Sequence, residues 1–382
     1  MSSGSAMQPD QPIYIDASAL FDSHITGIGR FVARMIEAVG QTRPVILFTT
    51  ASRPSAAASE QGYLHWGAEI FISQRDMDAL DPIDVDVAEW AKKIVRLPRR
   101  KSDLEKMKQC AAVYPLLRPM FRAFRKEIGV FYDFTPQLLP WTHASTTIHH
   151  FGLLFGVAAQ LHDAVIAISQ STSNDAKWLS SIDHDRIVTA YPGPSQCCKS
   201  HAHSVQIREK IILVVSSIEP RKNASFLLKW FLETEAIEPG TELWWAGAKG
   251  WWASDEDAKH LESSGNQNNR PIRFLGPVSD SEICRLYQSA MLTIYPSLYE
   301  GFGFPVLDSL WHGTPVITSF NSSLAEFDGE GVFFCDPYAA STLDDAYRNF
   351  LRQRDSIEIP SEALGVKYRW ENVAAIVNRL AQ

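Results

Sequence analysis

Two carboxylates and two cations stand where this sequence turns from apolar runs into helical pattern. Glu300 precedes the turn Gly301-Phe302-Gly303, and Asp308 lies one helical turn into the segment that opens Phe304-Pro305. Arg221 and Lys222 are adjacent in Ser217-Ile218-Glu219-Pro220-Arg221-Lys222-Asn223, directly after the apolar run Ile211–Val215. Adjacent cations at such a turn suit a pyrophosphate, because charge-assisted hydrogen bonds add to the N–H groups and positive dipole end of the helix that follows. Carboxylates beside an anion seat need a separate purpose, and the hydroxyls of a sugar or ribose would supply one.

Positioning these groups takes strand–turn–helix units. Met291–Tyr295 is apolar and β-branched, ends at Pro296, and reads as a buried strand. Pro305 suits the first position of a helix, Gly313 its stop, and Thr314–Ser319 a following strand. Lys210–Ser216, Glu242–Ala246 and Ile272–Ser279 give further strands and turns, with helices over 224–231 and 280–290. Upstream, strands are expected at Ile13–Asp16, Val45–Thr49, Val130–Phe134, Ser145–His149, Ala164–Ser169 and Ile187–Tyr191. Gly27 and Gly29 open the helical pattern 32–39 and make either an anion seat or a plain tight turn. The β/α rhythm, in a chain of 382 residues that exceeds the roughly 250–300 of one core, predicts two α/β domains. Pro192-Gly193-Pro194 begins the hinge between them. Expected boundaries are a leader at 1–12, a first domain at 13–192, a linker at 193–209, a second domain at 210–365 and a last helix at 366–382, amphipathic through Trp370, Val373, Ile376, Val377 and Leu380.

Composition excludes several classes. No apolar run approaches the ~18–20 residues of a membrane span, and the polar start lacks a signal-peptide core, which leads us to expect a cytoplasmic protein. A net charge of −8 argues against a nucleic-acid partner. The five cysteines (Cys110, Cys197, Cys198, Cys284, Cys335) lack metal-ligand spacing and are expected to be free thiols in a reducing compartment, with no metal. Lys92–Lys126 is exceptional: twelve basic residues face only Asp103 and Glu105, which is +10 locally and leaves −18 for the remainder. Tyr114, Leu116, Leu117, Met120, Phe121 and Phe124 interleave with them, so this is either a basic helix face in solvent or a surface that docks on anionic lipid.

The block Glu300-Gly-Phe-Gly-Phe-Pro-Val-Leu-Asp308 through Gly313-Thr-Pro-Val-Ile317, together with Glu219-Pro-Arg-Lys-Asn223, resembles the retaining, nucleotide-sugar-dependent glycosyltransferases of the GT-B fold, family 4. The likeness extends over roughly residues 13–380 and is most specific in 213–326. It implies two Rossmann-like domains facing a central cleft, with the C-terminal helix returning to the first. By the same resemblance, Arg221 and Lys222 hold the donor pyrophosphate, Glu300 and Gly301, Phe302 and Gly303 meet the donor sugar and phosphates, and Asp308 meets the ribose. Val278 then edges the base, the Ser323–Leu324 backbone touches phosphate, and His149 lines the cleft at the end of its strand. Gly27 and Gly29 match a loop that approaches donor and acceptor. The sequence departs from the family at Asp308, where the second Glu of the pattern is expected, at His150 in place of Asp, and at Ser217 in place of a frequent Arg.

The implied reaction is transfer of a hexosyl group, mannose from GDP-mannose as first guess, to a glycan or lipid-linked acceptor in bacterial surface polysaccharide synthesis. The nucleotide sugar is a co-substrate, no cofactor is implied, and fixed cations would replace a divalent ion. A non-catalytic nucleotide-binding relative and a sugar-nucleotide epimerase of the same layout are the rival readings.

Overall fold

The computed structural model describes residues 11–20, 27–49, 69–71, 107–116, 122–151, 159–195, 208–248, 250, 263, 269–359 and 361–382. The chain divides into two compact units: Met1–Gln137 with Ser145–Ser195 and Tyr368–Gln382, and Leu138–Ala144 with Gln196–Lys367. Each unit is built on one wholly parallel sheet. The first contains β1 (Ile13–Asp16), β2 (Val45–Thr49), β3 (Glu69–Phe71), β4 (Ala111–Tyr114), β5 (Lys126–Phe131), β6 (Ala164–Ala167) and β7 (Ile187–Thr189) in the order β3-β2-β1-β4-β5-β6-β7. The second contains β8 (Glu209–Val215), β9 (Glu242–Ala246), β10 (Ile272–Gly276), β11 (Ala290–Tyr295), β12 (Val316–Ser319) and β13 (Val332–Cys335) in the order β10-β9-β8-β11-β12-β13.

Parallel strands covered on both faces read as near-continuous apolar runs, and β8 and β11 do so. One face of the second sheet packs Ile212, Val214, Leu243, Trp245 and Leu292 against Leu227, Phe231 and Tyr347. The other places Ile211, Leu213 and Ala246 against Ile283 and Tyr287. In the first unit the final helix, Trp370–Leu380, buries Val373, Ala374 and Val377. Its Trp370 indole meets Phe31 of helix Gly27–Gly40 at 5.3 Å and donates to the Pro194 carbonyl at 2.9 Å. Arg125 reaches the last carbonyls of the chain, Ala381 at 3.0 Å and Gln382 at 3.1 Å.

Three expectations from sequence are corrected. Ser145–His149, read as a strand, lies in helix Ser145–His150. Its β-branched Thr146, Thr147 and Ile148 suit a strand, but β5 pairs directly with β6 (Ile128↔Ala164), so the sheet has no place for another between them. The stretch Lys92–Lys126 carries no continuous helical period where it is described: Ala111–Tyr114 is β4 and Lys126 opens β5. Tyr114 and Phe124 are 1% and 2% exposed in the first core, and so cannot face lipid. Arg122 is occupied by an ion pair with Asp163. Residues 92–106 and 117–121 of that stretch lie outside the described residues. Cys110 and Cys335 are free thiols as expected, with Cys335 pushed up to about 12 by burial, but Cys284 is disulfide-bonded. Among the described residues, no helix is long and apolar enough to cross a membrane, and no group of three or more His, Cys, Asp or Glu could hold a metal ion.

His312, at the end of helix Phe304–Trp311, gives the fold a testable acid sensitivity. It is buried, its ring stacks on Tyr287 at 5.4 Å, and its Nδ1 lies 2.7 Å from the Asp308 carbonyl. Burial pushes its pKa below the usual histidine value, with the charge of Arg208 acting the same way. The native state therefore binds this proton less readily than the unfolded chain, so the contribution is complete above about pH 6.5 and is lost as pH falls toward the lowered value. The melting temperature should drop between pH 7.5 and 5.5, and His312→Phe, which keeps the stacking ring, should flatten that drop. Equal drops in both proteins would remove His312 as the cause.

Candidate active site

The order of the second sheet reverses between β8 and β11: β8 leads outward to β9 and β10, whereas β11 leads the other way to β12 and β13. Loops leaving the carboxyl ends of two such strands diverge and open a crevice, the usual ligand position in an open parallel sheet. Arg221 and Lys222 follow β8, and Glu300 follows β11. The sheet thus brings together residues 78 and 79 positions apart.

Their meeting is tight. Lys222 Nζ donates to Glu300 Oε1 at 2.6 Å, and the Arg221 guanidinium donates to Oε2 at 2.7 Å. The Tyr295 hydroxyl donates to Oε1 at 2.8 Å, and the Ser297 hydroxyl lies 2.6 Å from the same atom. All of this is buried, with Glu300 6% exposed. Burial by itself would raise the Glu300 pKa, but the charges of Arg221 and Lys222 outweigh it and bring the value down to about 2. Burial and the like charge of Arg221 together depress Lys222, against the pull of Glu300. Glu300 is therefore an anion throughout the physiological range, held between two cations.

The local backbone fixes this geometry. Pro220–Lys222 forms one tight turn that ends at Asn223, whose left-handed conformation (φ 61°, ψ 38°) redirects the chain into helix Ala224–Glu233. The Asn223 amide donates to the carbonyls of Pro296 at 3.2 Å and Pro337 at 2.7 Å, tying the β8 turn to those after β11 and β13. Leu298 N–H donates to the Arg221 carbonyl at 2.9 Å. Gly247, after β9, has φ +153°, and a Cβ there would lie 1.9 Å from the Ser216 carbonyl oxygen. Only glycine permits this approach to the β8 turn.

The glycine turn behaves as read. Gly303, at φ +106°, is the residue before helix Phe304–Trp311, with Pro305 in its first turn. A Cβ on Gly303 would come within 2.7 Å of Leu324 Cδ2. Ser323 Oγ lies 2.8 Å from both the Glu300 and Phe302 carbonyls, and the Glu300 N–H donates to Ser322 Oγ at 3.0 Å. Two predicted contact residues are packing residues in their side chains: Phe302 is 3% exposed between Phe304 and Phe327, and Leu324 is fully buried. What they can offer a ligand is backbone.

The remaining candidates are more dispersed. Asp308 lies one turn into the helix and is 3% exposed. Val278 borders the turn after β10 and packs against the cluster around Tyr287. Gly27 and Gly29 form the first turn of helix Gly27–Gly40 in the other unit, with Gly27 exposed and Gly29 buried. His149 belongs to helix Ser145–His150 rather than to a strand end, which removes the structural basis on which it matched the family. Ser217, where an Arg is frequent, donates to Glu219 Oε1 at 2.5 Å.

Sequence reasoning assigned no role to Tyr295, Ser297, Asn223 or Gly247. Each stands in or near a segment that was read, but only the pairing of β8 with β11 and β9 shows what it touches.

Comparison with known proteins bears on the fold and on the second unit's sequence. Residues 200–363 match the family model described as glycosyl transferases group 1. O-antigen chain mannosyltransferase B of Escherichia coli is 26% identical over 269 residues, covering 65% of this chain and 68% of that protein. O-antigen chain mannosyltransferase RfbU of Salmonella typhimurium is 23% identical over 263 residues, covering 68% and 70%. The crystal structure of HepE from Anabaena in complex with UDP and glucose superposes with a TM-score of 0.66 at 14% identity, covering 97% of this chain and 98% of that one. With two parallel sheets and these structural neighbours the chain has the GT-B fold, and its residues 200–363 resemble the glycosyl transferases group 1 family.

Proposed function

We propose that this protein is a retaining, metal-independent hexosyltransferase of bacterial surface polysaccharide synthesis. Its first candidate donor is GDP-mannose and its acceptor a glycan or lipid-linked oligosaccharide. The observation that carries the reading is the Arg221–Lys222–Glu300 cluster at the switch point of the second sheet. Support for the sugar and setting comes from the likeness to two O-antigen mannosyltransferases.

In this reading the donor diphosphate competes with Glu300 for Arg221 and Lys222. The two cations then offset charge that grows on the leaving diphosphate, by positioning and electrostatics rather than acid–base chemistry. Glu300, released from part of its clamp, takes hydroxyls of the hexosyl group. Asp308 takes the ribose hydroxyls, Val278 borders the base, and backbone at Gly301–Gly303 and Ser323–Leu324 receives phosphate oxygens. Gly27 and Gly29 serve the approach of the acceptor. The sugar–phosphate bond breaks as the acceptor oxygen bonds the same face of the anomeric carbon, and the departing phosphate oxygen takes the acceptor proton. A thermal-shift panel of nucleotide diphosphates and their sugars tests the donor, since a ligand at ~100 Kd adds about 2.7 kcal/mol to stability.

Glu300→Ala should lower transfer about 10²–10³-fold, the size of an oxyanion-hole deletion, and activity within threefold of wild type would remove the assignment. Glu300→Gln separates binding from turnover. It removes the charge that ties up Arg221 and Lys222 and repels a diphosphate, so calorimetry should show nucleotide diphosphate bound at least as tightly as by wild type, with transfer lost. Weaker binding by Glu300→Gln would contradict competition for the cations. For Asp308, a carboxylate one methylene shorter than the usual Glu, Asp308→Asn should raise the donor KM, whereas Asp308→Glu should crowd the buried position and gain nothing. If Asp308→Ala binds nucleotide diphosphate like wild type, the ribose role fails.

A further inference from the structure

Tyr295 ends β11 as an aromatic residue in a buried apolar strand, and nothing in the motif around Glu300 singles it out. Its ring is 2% exposed, yet its hydroxyl is fully engaged. It accepts from Lys222 Nζ at 2.6 Å and donates to Glu300 Oε1 at 2.8 Å, while the ammonium sits 5.3 Å from the ring centroid. A phenolic hydroxyl on its rigid ring can accept from a cation and donate to an anion through a single oxygen. Phe or Leu would fill the same strand position without this cost of burying a polar group.

We propose that Tyr295 is a positioning residue of the transfer reaction: it holds Lys222 and Glu300 at fixed places when the donor diphosphate draws the cations off the carboxylate. The inference rests on the reading above, in which those two groups serve the diphosphate and the sugar. In the free protein Lys222 has two acceptors, Glu300 Oε1 and the Tyr295 oxygen. When the diphosphate replaces the first, the second remains and keeps the ammonium aimed. Glu300 likewise keeps the Tyr295 and Ser297 hydroxyls as donors after it yields a cation. Its second oxygen is then free to orient toward sugar hydroxyls, with rotation of the carboxylate prevented from below. Because the bridge favours the charged form of both neighbours, it also widens the pH range over which both are ionised.

The test is Tyr295→Phe, which keeps the ring and the packing. Binding of GDP and UDP should be followed by calorimetry from pH 5 to 9.5, and transfer kinetics where a donor has been found. The expected result is an alkaline limb that moves down as Lys222 loses an acceptor, with the acid side unchanged because Glu300 stays ionised across this range. Transfer should fall about tenfold or more in kcat, with a smaller change in donor KM. A melting curve shows that the variant is folded, and Ser297→Ala, which removes a donor to Glu300 without touching Lys222, should leave the alkaline limb in place. An unchanged alkaline limb in a folded Tyr295→Phe that binds as wild type does would overturn the proposal and leave the function standing. Failure of the wild type to bind any nucleotide diphosphate would instead remove the reading on which it rests.

Discussion

A carboxylate buried with four donors around it is the constraint on which the second unit depends. Moving a carboxylate out of water costs several kcal/mol even after relaxation, and the cost is met only if opposite charge and hydrogen bonds surround it. Glu300 meets that condition with Arg221, Lys222, Tyr295 and Ser297. The cluster is weak evidence for stability, since an apolar replacement of similar volume is often as stable. Two cations around one carboxylate leave the cluster with a net positive charge in a buried place. Fixed charges held in place before a ligand arrives cost no reorganisation during reaction, and this is where such charges are most effective.

The rest of the scaffold keeps the turns that carry these charges from drifting apart. Asn223 ties the β8 turn to the segments after β11 and β13, Asn321 donates to the Leu298 carbonyl at 2.9 Å, and Ser322 and Ser323 grip the backbone at Glu300 and Phe302. These side chains are short and polar, and each satisfies backbone groups that a turn leaves unpaired in a buried place. Glycine serves the opposite purpose at Gly247 and Gly303, where a side chain would collide with Ser216 or Leu324.

Most strands and helices of the second unit follow from pattern. Glu242–Ala246 is a strand with the expected bounds, and helix Asp280–Ser289 begins at Ser279, whose capping box with Glu282 is a purely local signal. Legibility failed where local signals conflict with neighbours in space. β4 was hidden because its four residues, Ala-Ala-Val-Tyr, lie inside a basic stretch whose flanking residues suggest a helix face. Helix Ser145–His150 was misread because β-branched residues favour strands only when a sheet has an open edge to receive them.

By itself the sequence determined the parts list of the candidate site. Its glycine turn, its paired cations and the carboxylate eight residues before Asp308 could be named without coordinates, because turn chemistry and helix entry depend on neighbours along the chain. Only the tertiary structure decided that Lys222 and Arg221 meet Glu300, that Tyr295 stands between them, and that Phe302 and Leu324 turn inward. Those facts depend on β8 lying beside β11 in a sheet whose order reverses there. Strand order is set by the sum of many weak apolar contacts across the core, and no short stretch of sequence contains that sum.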